Sequence, residues 1–151
     1  MIRLGPQHLP QLLVQSAPGA DSSYVALASS FGNSVSELDA ILSDAQNLQF
    51  IDDACEPPLL LSVHAVDQIQ GHARIQVHGS DTRGALAAFL QRLSEQLQVT
   101  RLYSYVFPHE AAEVALLEAL GFTQEACFRD HLFINGTYAD LCVYGRVEAA
   151  P

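Results

Sequence analysis

Four polar side chains alternate along one short stretch of the chain: His72, Arg74, Gln76 and His78. Between them stand Ala73, Ile75 and Val77. Successive side chains of an extended strand point to opposite faces, so this period of two gathers the polar groups on one face and the apolar ones on the other. A histidine titrates near neutrality and can move a proton, so His72 and His78 are candidates for acid–base work. Arg74 and Gln76 add charge and hydrogen-bonding groups to the same face. A solvated or hydrogen-bonded strand face gives the same pattern without chemistry. A one-residue slip would exchange the two faces, so the direction of the histidines decides.

Immediately downstream, Asp81-Thr82-Arg83-Gly84-Ala85-Leu86-Ala87-Ala88 leads from that strand into a helix. Backbone N–H groups at a helix N-terminus can cradle a pyrophosphate, provided small residues let the backbone come close. Arg83, Gly84, Ala85, Leu86, Ala87 and Ala88 stand at this helix start. Asp81 brings a like charge towards such a site, and Asp81 and Thr82 can equally be an ordinary helix cap. Cys55, Cys127 and Cys142 are odd in number with no Cys-x-x-Cys spacing, and read as free buried thiols. The six histidines form no His-x-x-x-His or Cys/His cluster, so no metal site is expected.

The elements that must position these groups follow from periodicity and turn chemistry. Ile2 to Leu4 reads as a short strand, and Pro6 to Val14 as an amphipathic helix. Ser34-Val35-Ser36-Glu37 is a capping box opening a second helix through Leu38, Ile41 and Leu42. Asn47 to Asp52 and the apolar run Leu59 to Val66 read as strands, followed by the alternating strand Gly71 to His78. Leu86, Phe89, Leu90, Leu93 and Leu97 stripe a helix. Arg101 to Phe107 is a strand stopped by Pro108, and Glu110 to Leu120 is a helix capped by Gly121. Phe122 to Ile134 and Tyr138 to Val147 flank Asn135-Gly136, the strongest short hairpin signal, because a type I′ turn needs two residues at positive φ. The order gives an α/β fold in which one mixed, mostly antiparallel sheet carries helices on both faces. Residues 1–147 form a single domain and 148–151 a tail.

Composition bounds the partners. The chain has 151 residues, of which 49% are hydrophobic and 16% charged, so it buries a core and is not disordered. Seven arginines stand against 17 acidic residues, with no lysine, for a formal net charge of −10. Nucleic acid and anionic membranes need basic stripes and are not expected as partners. A cationic or amine-bearing partner would be drawn in by the field. No long apolar run or secretory leader is recognisable, and a cytoplasmic location is expected.

The last third carries a family resemblance. Arg101-Leu-Tyr-Ser-Tyr-Val-Phe107, a helix ending in Leu120-Gly121-Phe122, Arg129 eight residues later, and Asn135-Gly136-Thr-Tyr138-Ala-Asp140 together resemble the closing half of the GNAT N-acetyltransferases. The nearest subgroup acetylates ribosomal-protein N-termini, alanyl N-termini and small amines. The resemblance implies a V-shaped cleft between the strands Gly71–His78 and Arg101–Phe107. It also implies acetyl-CoA as co-substrate at the Asp81–Ala88 junction, held by Arg83 and the amides of Gly84, Ala85, Leu86, Ala87 and Ala88, and transfer of acetyl to a primary amine of a small molecule or protein N-terminus. Arg74 and Gln76 would border the acceptor, His78 or His72 would act directly or through water as base for the amine, and Arg129, Tyr138 and Asp140 would hold the hairpin.

The sequence departs from that family at four positions. In the register that keeps the Arg83-Gly84 pair, Leu86 stands where the junction pattern wants a second glycine and Asp81 where it wants Gln or Arg; in the register led by Arg83, Leu86 stands at the first glycine and Ala88 at the final Gly/Ala. Glu110 replaces a frequent asparagine, and Leu117 replaces the tyrosine that often protonates the departing thiolate. These departures keep a second function open: a GNAT-fold protein without acetyltransferase activity, acting as a binding or assembly module. For an active junction they imply weak acetyl-CoA binding, lowered by Arg83→Ala and raised by Leu86→Gly. The oligomeric state is open, with a homodimer among the alternatives.

Overall fold

The computed structural model describes residues 1–3, 48–52, 54–55, 59–79, 81–82, 84–134 and 136–148. The helices expected after Pro6 and from the Ser34 capping box lie outside the described residues, as do Arg83, Asn135 and the last three positions.

Seven strands form one sheet in the order β1-β2-β3-β4-β5-β7-β6. They are β1 (Ile2–Arg3), β2 (Leu48–Asp52), β3 (Leu59–Asp67), β4 (His72–His78), β5 (Arg101–Val106), β6 (Thr123–Ile134) and β7 (Thr137–Val147). Helix α1 (Leu86–Leu97) connects β4 to β5, and α2 (Ala111–Ala119) connects β5 to β6. Every pairing is antiparallel except β4 with β5. A parallel pair needs a crossover, and α1 supplies it.

The alternation in β4 sorts the sheet into two faces. Ala73, Ile75 and Val77 are fully buried, together with Leu61 and Val63 of β3 and Leu102 and Val106 of β5. Leu86, Leu90 and Leu93 of α1 and Leu117 of α2 close over this face as one core cluster. Phe89 of α1 meets Phe50 of β2 edge to face, with ring centroids 5.1 Å apart. The guanidinium of Arg146, in the row of Leu102, donates to the Leu120 carbonyl at the end of α2. Both described helices thus lie on one face.

Glycines mark the ends that matter. Gly71, at φ +70, presents its carbonyl to the amides of Thr100 and Arg101, tying the start of β4 to the start of β5. Gly121 ends α2 at φ +83, in the left-handed region a side chain disfavours.

The cysteines correct the expectation of three free thiols. Cys127 and Cys142 form a disulfide, with Cα atoms 4.0 Å apart, while Cys55 is free and buried. The register set at the turn, Ile134 opposite Thr137, would leave Cys142 facing Arg129. An irregularity between Phe128 and Leu132, with Asp130 at φ +50, shifts the strands so that Cys127 faces Cys142. Disulfides persist mainly in oxidising compartments, so this bridge and the expected cytoplasmic location pull in opposite directions. No described helix is long and apolar enough to cross a membrane.

Candidate functional site

Strands β4 and β5 pair only at their beginnings, His72 with Arg101, Ala73 with Leu102 and Arg74 with Tyr103. Beyond Arg74 the ladder stops, although β4 runs on to His78 and β5 to Val106. The remaining backbone of both strands opens into the expected V-shaped crevice. It points at the junctions where α1 and α2 begin, the C-terminal end of parallel strands at which α/β sheets commonly take ligands.

The expected polar row faces away from the α1 core. Arg74, Gln76 and His78 are half-buried, and the row continues onto β3, where His64 stands opposite Arg74 and Ser62 opposite Gln76. On β5 the same face carries Arg101, Tyr103 and Tyr105. Arg101 stands over the Tyr103 ring at 5.6 Å and Arg74 over the Tyr105 ring at 5.9 Å. His72 packs edge-on against Tyr103, with centroids 5.8 Å apart, at the closed end of the strand pair. His78 stands at the open end. The structure separates the two candidate bases by the length of the strand.

The electrostatics of the open end are unusual. Burial lowers the His78 pKa, and the Glu110 carboxylate at the start of α2 opposes that shift. His64 is pushed down to about 4 by burial first, and then by the charges of Arg74 and His78. Glu113, in the first turn of α2, is pushed up to about 8 by burial, by the Glu110 charge and by a hydrogen bond with Glu110. At neutral pH the two glutamates therefore hold a proton beside a neutral His78. One Glu113 oxygen, Oε1, is buried with no hydrogen-bond partner among the described residues. A glutamate pair on α2 was not singled out in the sequence beyond the Asn-to-Glu departure at 110. Its signal was the i, i+3 spacing of Glu110 and Glu113.

The β4–α1 junction contrasts with this. Asp81 places Oδ1 on the amide of Ala85 at 3.1 Å and Oδ2 on the amide of Leu86 at 2.9 Å. Its carbonyl also accepts from the Gly84 amide at 3.2 Å, closing a turn in which Gly84 takes φ +65. Gly84, Ala85, Ala87 and Ala88 are exposed, and a Cβ on Gly84 would meet nothing within 4 Å. The junction therefore has the open, small-residue approach that a pyrophosphate needs, and its own carboxylate already sits on two of the amides. Leu86 has a different task from the one its position suggests: its side chain is 1% exposed and packs in the core under α1. Arg83 lies outside the described residues.

Three groups from the closing motif are placed as well. Asp140 accepts from the Asp130 amide at 2.9 Å and so pins the β6 irregularity. Tyr138 packs on Phe133, with centroids 5.0 Å apart, and Arg129 is exposed. Among the described residues no group of three His, Cys, Asp or Glu side chains could hold a metal ion.

No protein-family profile matches the sequence, and no curated protein matches it significantly. Solved structures do match. A spermidine N-acetyltransferase chimera from Vibrio cholerae and hSSAT superposes with a TM-score of 0.72 at 18% identity, over 98% of this chain and 95% of that one. A ribosomal L7/L12 alpha-N-protein acetyltransferase in complex with coenzyme A gives 0.71 at 17% identity, over 99% and 94%. The fold is that of the GNAT superfamily. The spermidine/spermine N-acetyltransferase of Vibrio cholerae in complex with manganese ions gives 0.67 at 20% identity, over 96% and 89%. At these identities the GNAT likeness is one of fold.

Proposed function

We propose that this chain is an N-acyltransferase that moves acetyl from acetyl-CoA to a primary amine of a small molecule or a protein N-terminus. The observation that carries this reading is the crevice between β4 and β5, opened beyond Arg74 and Tyr103, with a neutral His78 at its mouth. Thioester aminolysis needs a free amine, and His78 takes the proton from the ammonium form. The amine then attacks the thioester carbonyl carbon. The C–N bond forms, the C–S bond breaks, and the thiolate needs a proton. Glu113, one helical turn before Leu117, carries a proton at neutral pH and is placed on α2 to return it. His72 stands at the closed end beside Tyr103 and serves orientation rather than proton transfer.

The co-substrate would be held at the β4–α1 junction by Arg83 and the amides of Gly84, Ala85, Leu86, Ala87 and Ala88. It supplies the activated acetyl group. Asp81 competes for the amides of Ala85 and Leu86, so binding is weak in the parent protein. That same competition favours the second reading, a GNAT-fold binding or assembly module with no acetyl transfer.

Calorimetric titration of acetyl-CoA into the parent, Asp81→Asn and Arg83→Ala proteins separates the two. The enzyme reading expects weak parent binding, a gain of about tenfold for Asp81→Asn as a repelling charge is removed, and a loss for Arg83→Ala. No binding at millimolar acetyl-CoA in the parent and in Asp81→Asn would leave the module as the function.

A further inference from the structure

The polar sheet face carries two arginines with different surroundings. Only seven arginines oppose 17 acidic residues, yet two of the seven, Arg74 and Arg101, lie on this one face beside His64, His72 and His78. Among the described residues, acidic groups of two neighbouring elements are already engaged. Glu125 of β6 forms an ion pair with Arg101, its carboxylate lying where a Cβ on Gly145 would stand. Glu110 of α2 faces His78 and shares a hydrogen bond with Glu113, and the pair holds a proton at neutral pH. Arg74 has no ion pair and no hydrogen bond among the described residues. It stands over the Tyr105 ring, half-buried, opposite His64. Two strands away, in the row of Ser62 and Gln76, the buried Gln49 accepts from Ser62 through Oε1, and its Nε2 has no acceptor among the described residues. Among the described residues, Arg74 is therefore a half-buried cation without a counter-charge. An anion in the crevice would satisfy Arg74.

We propose that Arg74 holds a carboxylate of the acceptor, so that the substrate is a primary amine that also carries an acid group, rather than a polyamine. This rests on the acyltransferase reading of the crevice. The guanidinium fork matches a carboxylate in two parallel hydrogen bonds, which an ammonium or amide cannot reproduce. The phenols of Tyr103 and Tyr105 flank it with further donors. Arg74 is also the last β4 residue paired with β5, so an acceptor anchored there extends towards the mouth of the crevice and His78. A diamine would instead set an ammonium against Arg74, and repulsion would oppose it even though the protein as a whole is acidic.

The test uses matched ligands: ω-amino acids of increasing length, their primary amides, and diamines of the same length. Binding is read by calorimetry with CoA already present, so an anion that merely occupies the phosphate site is excluded, and acetyl transfer is read in parallel. The carboxylates are expected to bind about tenfold or more tightly than the amides and diamines. Arg74→Gln should erase the preference with an unchanged melting temperature, and Arg74→Lys should restore part of it. Diamines binding as well as the acids, or a preference that survives Arg74→Gln, would overturn the proposal even if acetyl transfer occurs. Carboxylate binding intact with no transfer to any amine would instead overturn the acyltransferase reading and keep the anion site.

Discussion

Two strand-to-helix junctions lie side by side at the mouth of the same crevice, and they are built in opposite ways. At the β4–α1 junction Asp81 satisfies the first amides of the helix, and Leu86 anchors the turn in the core. At the β5–α2 junction the helix start has no side-chain cap. It holds two glutamates close enough to share a proton, one of them with a buried oxygen unpartnered among the described residues. The first junction is folded to be stable. The second retains groups in protonation states that ordinary folding does not favour, and such perturbations concentrate where proton transfer is carried out. In this molecule the chemistry therefore sits with α2 and His78, and the α1 junction is the part whose ligand must displace something.

Substitutions can sharpen or break that contrast. The largest effect is expected for Leu86→Gly. Removing a fully buried leucine leaves a cavity and places glycine in a helix, for a loss of about 4 kcal/mol measurable by denaturant unfolding. Any gain in acetyl-CoA affinity from the smaller residue would then be masked by unfolding. A loss below about 1 kcal/mol would show that Leu86 does not anchor the junction.

Next comes Glu113→Gln. The folded protein keeps the Glu113 proton up to about pH 8, against 4.5 for the ordinary group. Between those values unfolding releases a proton, so the parent loses stability as pH rises through that window, and the loss is complete above it. Glutamine cannot titrate. The variant should therefore gain on the parent as pH rises, by about 1 to 2 kcal/mol at pH 9 after allowance for partial exposure. Parallel stability curves for the two proteins would remove the proton from the α2 junction.

The smallest effect on stability belongs to Asp81→Asn, about 1 kcal/mol or less, because asparagine can still accept from one of the two amides. Its consequence should be seen in ligand affinity instead. If it changes stability by more than Leu86→Gly, the order of the two residues in holding the α1 junction is reversed.

The sequence made one half of this contrast readable. The alternation from His72 to His78, the stripe of α1 and the pair of apolar runs around Asn135-Gly136 each have a single structural reading, and β4, α1 and the antiparallel pair β6–β7 form accordingly. The Leu86 side chain follows from its place in the α1 stripe, although its alignment with a glycine position drew attention to the backbone instead. The proton held at Glu113 was not readable, because it depends on burial and on the approach of α2 to the end of β4, which no local pattern encodes. The disulfide was hidden for a similar reason. A hairpin counted outward from its turn puts Cys142 opposite Arg129, and only the irregularity at Asp130, pinned by Asp140, brings Cys127 across from it.

The central claim, that the crevice between β4 and β5 carries acyl transfer with His78 as base, is tested most directly by amine-dependent thiol release from acetyl-CoA. The parent protein and His78→Asn would be compared across pH on a panel of amines that includes acid-bearing ones. The parent is expected to release thiol only when an amine is present. His78→Asn, with its melting temperature unchanged, should lower the rate about a hundredfold and remove the acid limb of the pH profile. Equal rates for the two proteins, or no thiol release above buffer with any amine, would contradict it.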